Sequence, residues 1–224
     1  MSDPAASDAL AIAAQLARAF ETCRAGTIPY RYWLPEDMLP ADVCEDIDDL
    51  PVQPPRIEDT LGRRETHNST RLFFGVEARK RFPVCDALAS ALQSRPVVGQ
   101  LERLCGVDLG ESHLRIEYCL DTDGFWLEPH TDIGAKLFTM LIYLSREAGS
   151  EFWGTDICDA EGKILFTGPY KRNAGLVFIP AADTWHGFHK RPIRGVRRSL
   201  IVNYVRPEWR ARHELAFPER YAGA

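Results

Sequence analysis

The sequence predicts an α+β fold, with helices in the first half and an antiparallel β sandwich or barrel in the second. Helix-length apolar patterns with start and stop signals fill the stretch up to residue 105. From about residue 112 the apolar residues fall instead into short β-branched and aromatic runs. No helix-length periodic stretch separates those runs, which disfavours the strand–helix alternation of a doubly wound parallel sheet.

Residues 5–24 read as an alanine-rich amphipathic helix ending near Gly26. L-P-A-D-V-C-E-D-I-D-D-L-P (39–51) predicts a short acidic helix, with Pro40 suited to its first turn and Pro51 stopping it. P-V-Q-P-P (51–55) is a loop, and S-T-R-L-F-F-G (69–75) a strand closed by glycine. Residues 77–105 carry two helical segments divided at Arg95-Pro96, because proline disfavours helix in the residue before it. The β runs are H-L-R-I-E-Y-C-L (113–120), K-L-F-T-M-L-I-Y-L (136–144), G-K-I-L-F (162–166), G-L-V-F-I-P (175–180) and R-R-S-L-I-V-N-Y-V (197–205). Gly, Asp, Asn and Pro separate them at sandwich or barrel spacing. The expected organisation is one domain over 1–224: a mainly helical part (1–110), a β core (111–206) and a tail (207–224) with room for one more helix.

The chain has 224 residues, of which 45% are apolar and 26% charged, enough to bury a substantial core. Its net charge of −5 argues against broad binding to nucleic acid or to anionic membranes. No run approaches the roughly 18 apolar residues of a membrane span. Asp3 and Asp8 stand where a signal peptide would be basic, so a cytoplasmic protein, monomeric or homodimeric, is expected. Six cysteines are scattered without a C-x-x-C pair and read as free thiols rather than a zinc site.

The chemistry concentrates around L-E-P-H-T-D-I-G (127–134). On a strand, residues i and i+2 point to the same side, so His130 and Asp132 can supply two ligands of one metal. Iron(II) that activates oxygen needs few protein ligands and several open positions, which two imidazoles and one carboxylate provide. The third ligand would be a histidine from a distant strand: His186, His189 or His213. Further on, Arg197 and Ser199 alternate onto one face of the last strand, with Leu200, Val202 and Tyr204 on the other. A guanidinium fork beside a hydroxyl is suited to gripping a carboxylate.

H130-T-D132, then His186, then G195-V-R197-R-S199-L resembles the H-x-D…H…G-x-R-x-S-L pattern of the Fe(II)/2-oxoglutarate-dependent oxygenases, particularly the prolyl-hydroxylase-like branch. Tyr118 with Gly124 is similar to the family's Y-x-x-G lead-in, a few residues longer here. L-I-Y-L followed by A-G-S-E-F (148–152) resembles the strand and turn that come next, with Ser150 replacing a glycine. The resemblance covers about 100–205 and implies a double-stranded β-helix (jelly-roll, cupin-like) core.

The resemblance implies that His130, Asp132 and His186 bind Fe(II), His186 being favoured over His189 by its gap of 11 residues to Arg197. It implies that Arg197 and Ser199 hold the far carboxylate of 2-oxoglutarate, with Tyr118 touching it and Lys136 as a competing clamp. The activity implied is hydroxylation with molecular oxygen, coupled to decarboxylation of 2-oxoglutarate to succinate and CO2. Halogenating relatives carry a small residue where this chain has Asp132, so hydroxylation, desaturation or ring chemistry is expected. A small-molecule substrate is favoured over a protein or peptide. A 2-oxoglutarate-independent iron oxidase and a non-catalytic jelly-roll binding protein are the alternatives. Trp126, Trp185 and Asn203 are candidates for the pocket wall, and the cluster Arg63, Arg64, Arg71, Arg79, Lys80 and Arg81 is a candidate attractor of anions. A glycosylation sequon lies in T-H-N-S-T (66–70), without consequence in an unsecreted protein.

Overall fold

The computed structural model describes residues 4–64 and 70–224. Helix α1 (Pro4–Glu21) is followed by the short strands β1 (Arg24–Gly26) and β2 (Tyr32–Leu34) and by α2 (Ala41–Asp48). Pro40 is the N-cap of α2, just outside the first turn predicted for it. The strand predicted over 69–75 is reduced to β3 (Leu72–Phe73), and Ser69 and most of the sequon lie outside the described residues.

Residues 77–105 form three helices rather than two: α3 (Val76–Arg81), α4 (Pro83–Gln93) and α5 (Arg95–Cys105). Prolines in the first turns of α4 and α5 explain both breaks, since Pro starts a helix easily and cannot continue one. Gly106 ends α5 in the left-handed conformation, which costs glycine nothing.

Next come β4 (His113–Asp121), β5 (Leu127–His130), β6 (Lys136–Tyr143), β7 (Asp156–Cys158), β8 (Ile164–Thr167), β9 (Ala174–Phe178), β10 (His186–Phe188) and β11 (Arg197–Val205). Among the described residues they form two antiparallel sheets, ordered β1-β2-β9-β6-β11-β4-β3 and β5-β10-β7-β8. This mixed α+β architecture is the predicted one, with a jelly-roll core. The tail forms no α-helix among its described residues, only a short 3-10 turn at Arg212–Glu214, and its backbone hydrogen-bonds along β4.

The large sheet separates two kinds of interior by strand alternation. Its outer face presents Leu114, Ile116, Leu120, Met140, Ile142, Leu200, Val202 and Tyr204 to α1, α2, α4 and α5. Its inner face packs Leu141, Tyr143, Leu176, Phe178 and Ile201 against Phe125, Leu127, Ile157 and Phe188 of the small sheet and its connections. β4 runs fully buried between these layers, yet Arg115, Glu117 and Asp121 all point to its inner face. Charges buried that deeply need partners, and they surround a cavity.

Candidate active site

His130 ends β5 and His186 begins β10, and the antiparallel register sets the two directly opposite. Their ring centroids lie 4.5 Å apart. Gly187 permits that approach, because a methyl group there would sit 2.9 Å from the Leu127 carbonyl oxygen and 3.1 Å from the Pro129 nitrogen. Backbone atoms cannot yield as a flexible side chain can. Gly187→Ala is therefore expected to part β5 from β10, costing about 1–3 kcal/mol of stability and weakening metal binding. Denaturant melts and metal titration of the variant check this; unchanged metal affinity would contradict it.

Each histidine has its Nδ1 against a backbone carbonyl: His130 against Glu128 O at 2.8 Å, His186 against Thr184 O at 2.9 Å. A carbonyl only accepts, so Nδ1 carries the proton and Nε2 is left as the free, basic nitrogen. Burial pushes the His186 imidazole down to about 4 and lowers His130 as well, so both rings are neutral at pH 7. Asp132 stands beside them, and one ligand atom from each of the three residues falls within 4.8 Å of the others. Burial opposes ionisation of Asp132, but the Lys136 ammonium and hydrogen bonds from Lys136 and Thr139 hold its carboxyl at about 2. Lys136 Nζ meets Oδ1 and Thr139 Oγ1 meets Oδ2, each at 2.6 Å. Asn203 Nδ2 in turn donates to Thr139 Oγ1 at 2.9 Å, so the carboxylate is fixed from behind.

The three residues line a cavity of about 230 Å³ between the two sheets. Arg197 lines it too. Its guanidinium is fully buried, with Nη1 on Asp121 Oδ2 at 2.7 Å and Nε on Trp153 O at 2.8 Å. Nη2 has no partner among the described residues. Ser199 follows on the same strand face and does not itself line the cavity; its buried Oγ has no hydrogen-bond partner among the described residues.

Tyr118 is not brought to the site. Cross-strand pairing with Leu200 puts it on the outer face of the large sheet, within the helix-packed core. The expected contact with the cosubstrate is corrected by this parity, since every second residue of β4 points away from the cavity. Tyr118→Phe should accordingly leave the affinity for 2-oxoglutarate within about two-fold, and a ten-fold loss in titration would contradict the placement.

The other predicted candidates separate cleanly. His189 is held by Asp156 at 3.0 Å, and His213 sits edge-on to Phe73, so neither competes with His186. Lys136 lines the cavity but is paired to Asp132. Neither Trp126, whose indole donates to Asp59, nor Trp185 lines the cavity; Trp209 of the tail does. Of the basic cluster, Arg64 and Arg71 face the cavity, whereas Arg79 and Lys80 are taken up by Asp86 and Glu77 near α3. Sequence reasoning missed Arg115, Glu117, Thr139 and Glu214. For Arg115 and Glu117 the signal existed: they alternate with Leu114, Ile116 and Tyr118 in H-L-R-I-E-Y.

No protein-family model and no curated protein matches the chain. Solved structures do. The chain is similar to a prolyl-4-hydroxylase from Pseudomonas putida, with a TM-score of 0.54 at 16% identity over 87% of this chain and 94% of that one. A prolyl 4-hydroxylase from Phytophthora capsici gives 0.56 at 11% identity, over 94% of this chain and 69% of that one. A Trichoplax adhaerens prolyl hydroxylase, solved in complex with a hypoxia inducible factor oxygen degradation domain peptide fragment, gives 0.53 at 12% identity, over 92% and 94%. At these identities the likeness is one of fold.

Proposed function

We propose that the protein is an Fe(II)- and 2-oxoglutarate-dependent oxygenase that hydroxylates an unactivated C–H bond of a small molecule. The observation that carries this is the convergence of His130, Asp132 and His186 within 4.8 Å. Two neutral imidazoles and one carboxylate suit non-haem iron and leave coordination positions open. His130 and His186 would bind through Nε2, and Asp132 through a carboxylate kept ionised by Lys136 and Thr139.

The cosubstrate also fits. A carboxylate arriving at Arg197 would find an uncommitted Nη2, and the orphaned hydroxyl of Ser199 stands on the same strand face. A buried polar atom without a partner is costly in a finished fold and is explained when a ligand supplies the missing bond. Five cationic side chains line the cavity against three carboxylates, with Asp121 paired to Arg197 behind the wall as a fourth, so the setting stays net positive and favours an anion. When bound, the iron and cosubstrate together supply oxygen activation and removal of a hydrogen atom from substrate, with succinate and CO2 as coproducts. The protein orients the groups and keeps water away, using Phe125, Leu141 and Phe188 as apolar walls.

The similar solved structures include a prolyl hydroxylase with a peptide fragment bound. A small molecule is favoured here because Trp209 and Glu214 of the chain's own tail form part of the cavity wall. The test is succinate formation from 2-oxoglutarate under air with added Fe(II). Succinate that depends on Fe(II) is the expected result. Iron-dependent oxygen uptake without succinate would favour the 2-oxoglutarate-independent oxidase, and neither would leave a binding protein.

A further inference from the structure

Besides Arg197, the same cavity is lined by a second cationic group. Arg71 and Arg115 share one carboxylate: Arg71 Nη1 takes Glu117 Oε2 and Arg115 Nη1 takes Glu117 Oε1, each at 2.9 Å. Arg115 Nε also reaches Glu214 Oε2 at 2.6 Å. Arg64, half-buried beside them, has no carboxylate within ion-pair distance among the described residues. The Cys119 sulfur, 3.9 Å from its Nη1, is a weak acceptor. Burial and the neighbouring Arg71 both work against its charge. Among the described residues, three guanidiniums thus face two carboxylates in this group, an excess of one positive charge. Independently, Trp209 packs 5.2 Å from the Arg115 guanidinium and lines the cavity with a buried indole N–H that has no acceptor among the described residues.

A guanidinium with no ion-pair partner among the described residues and an orphaned N–H donor, both lining one cavity, suit an anionic acceptor. One surplus charge matches a monoanion better than a phosphate dianion, and a planar carboxylate matches the guanidinium fork. Arg197 is not counted in this group, since Asp121 is its ion-pair partner and its Nη2 is assigned to the cosubstrate. We propose that this group forms the substrate subsite and that the substrate is a small carboxylic acid whose carboxylate docks on Arg64. The assignment rests on the oxygenase reading above and deepens it.

The test is a panel of amino, hydroxy and aromatic carboxylic acids, each paired with its primary amide. The panel is screened on the full chain with Fe(II) and 2-oxoglutarate, by thermal stabilisation without oxygen and by stimulated succinate release with it. Acids should register and their amides should not. For an acid that registers, Arg64→Gln should raise KM about 10–100-fold, as loss of a charged hydrogen bond does. Arg64→Lys should fall between, and the Kd for 2-oxoglutarate should stay within about two-fold. The proposal is overturned if amides serve as well as acids, if no acid registers, or if Arg64→Gln weakens 2-oxoglutarate instead. Absence of any Fe(II)/2-oxoglutarate complex in the native protein would defeat the oxygenase reading itself, whereas indifference to the carboxylate with that complex intact defeats only the subsite.

Discussion

Asp132→Ala is expected to lower Fe(II) affinity by more than about 100-fold, because replacing even the groups behind a metal ligand typically costs 10–100-fold. The carboxylate is the only anionic member of the three. Without it the centre has two imidazoles, and the Lys136 ammonium that had been paired to Asp132 becomes a repulsive neighbour. The fold should survive, since Lys136 keeps a route to solvent and can swing away. Thr139→Val forms the graded companion. It keeps all three ligands but removes the hydrogen bond to Asp132 Oδ2 and leaves Asn203 Nδ2 without that acceptor. A smaller loss, about 10–100-fold, is expected there. Anaerobic Fe(II) titration of the folded variants measures both, and wild-type affinity in Asp132→Ala would remove Asp132 from the centre.

The second large effect concerns Arg197, where stability and ligand binding must be separated. Its side chain and that of Asp121 are 2% and 5% exposed, a buried ion pair across β4 and β11. Removing the guanidinium alone strands Asp121, so Arg197→Met should cost about 3–5 kcal/mol in folding. A poorly folded variant that fails to bind 2-oxoglutarate proves nothing about a clamp. Replacing both members with apolar side chains of similar size removes the stranded charge, and such exchanges are often neutral or stabilising. The double variant Arg197→Met/Asp121→Leu should therefore recover most of the lost stability yet still fail to bind 2-oxoglutarate. Recovery of binding along with stability would show that Arg197 acts only as a brace between the strands.

What could be read from the sequence, and what could not, follows strand length and parity. The long strands β4, β6 and β11 were legible because eight or nine residues carry a clear β signature. β5, β7 and β10 were not, at three or four residues each. A span of that length holds too few residues to display a period; β8, equally short, was legible through its unbroken I-L-F, whereas the polar members of β5, β7 and β10 look like loop. Those are the strands that carry His130 and His186, so the ligands were found by motif rather than by structure. Tyr118 shows the opposite failure. Its motif pointed to the cosubstrate, while alternation with Leu114 and Ile116 already assigned it to the apolar face. The alternation of Arg115 and Glu117 with apolar residues was legible, but the pairing of Arg115 with Glu214 was not, because it depends on the tail folding back beside β4, a long-range contact with no local signature.

Anaerobic addition of 2-oxoglutarate to the Fe(II)-loaded protein tests the central claim most directly, because direct coordination of the 2-oxo acid to iron gives a visible metal-to-ligand charge-transfer band. The native protein should develop that band saturably, at one equivalent of each component, and His186→Ala should not. No band in the native protein, or an undiminished band in His186→Ala, would contradict the assignment of His130, Asp132 and His186 as an iron centre that takes 2-oxoglutarate.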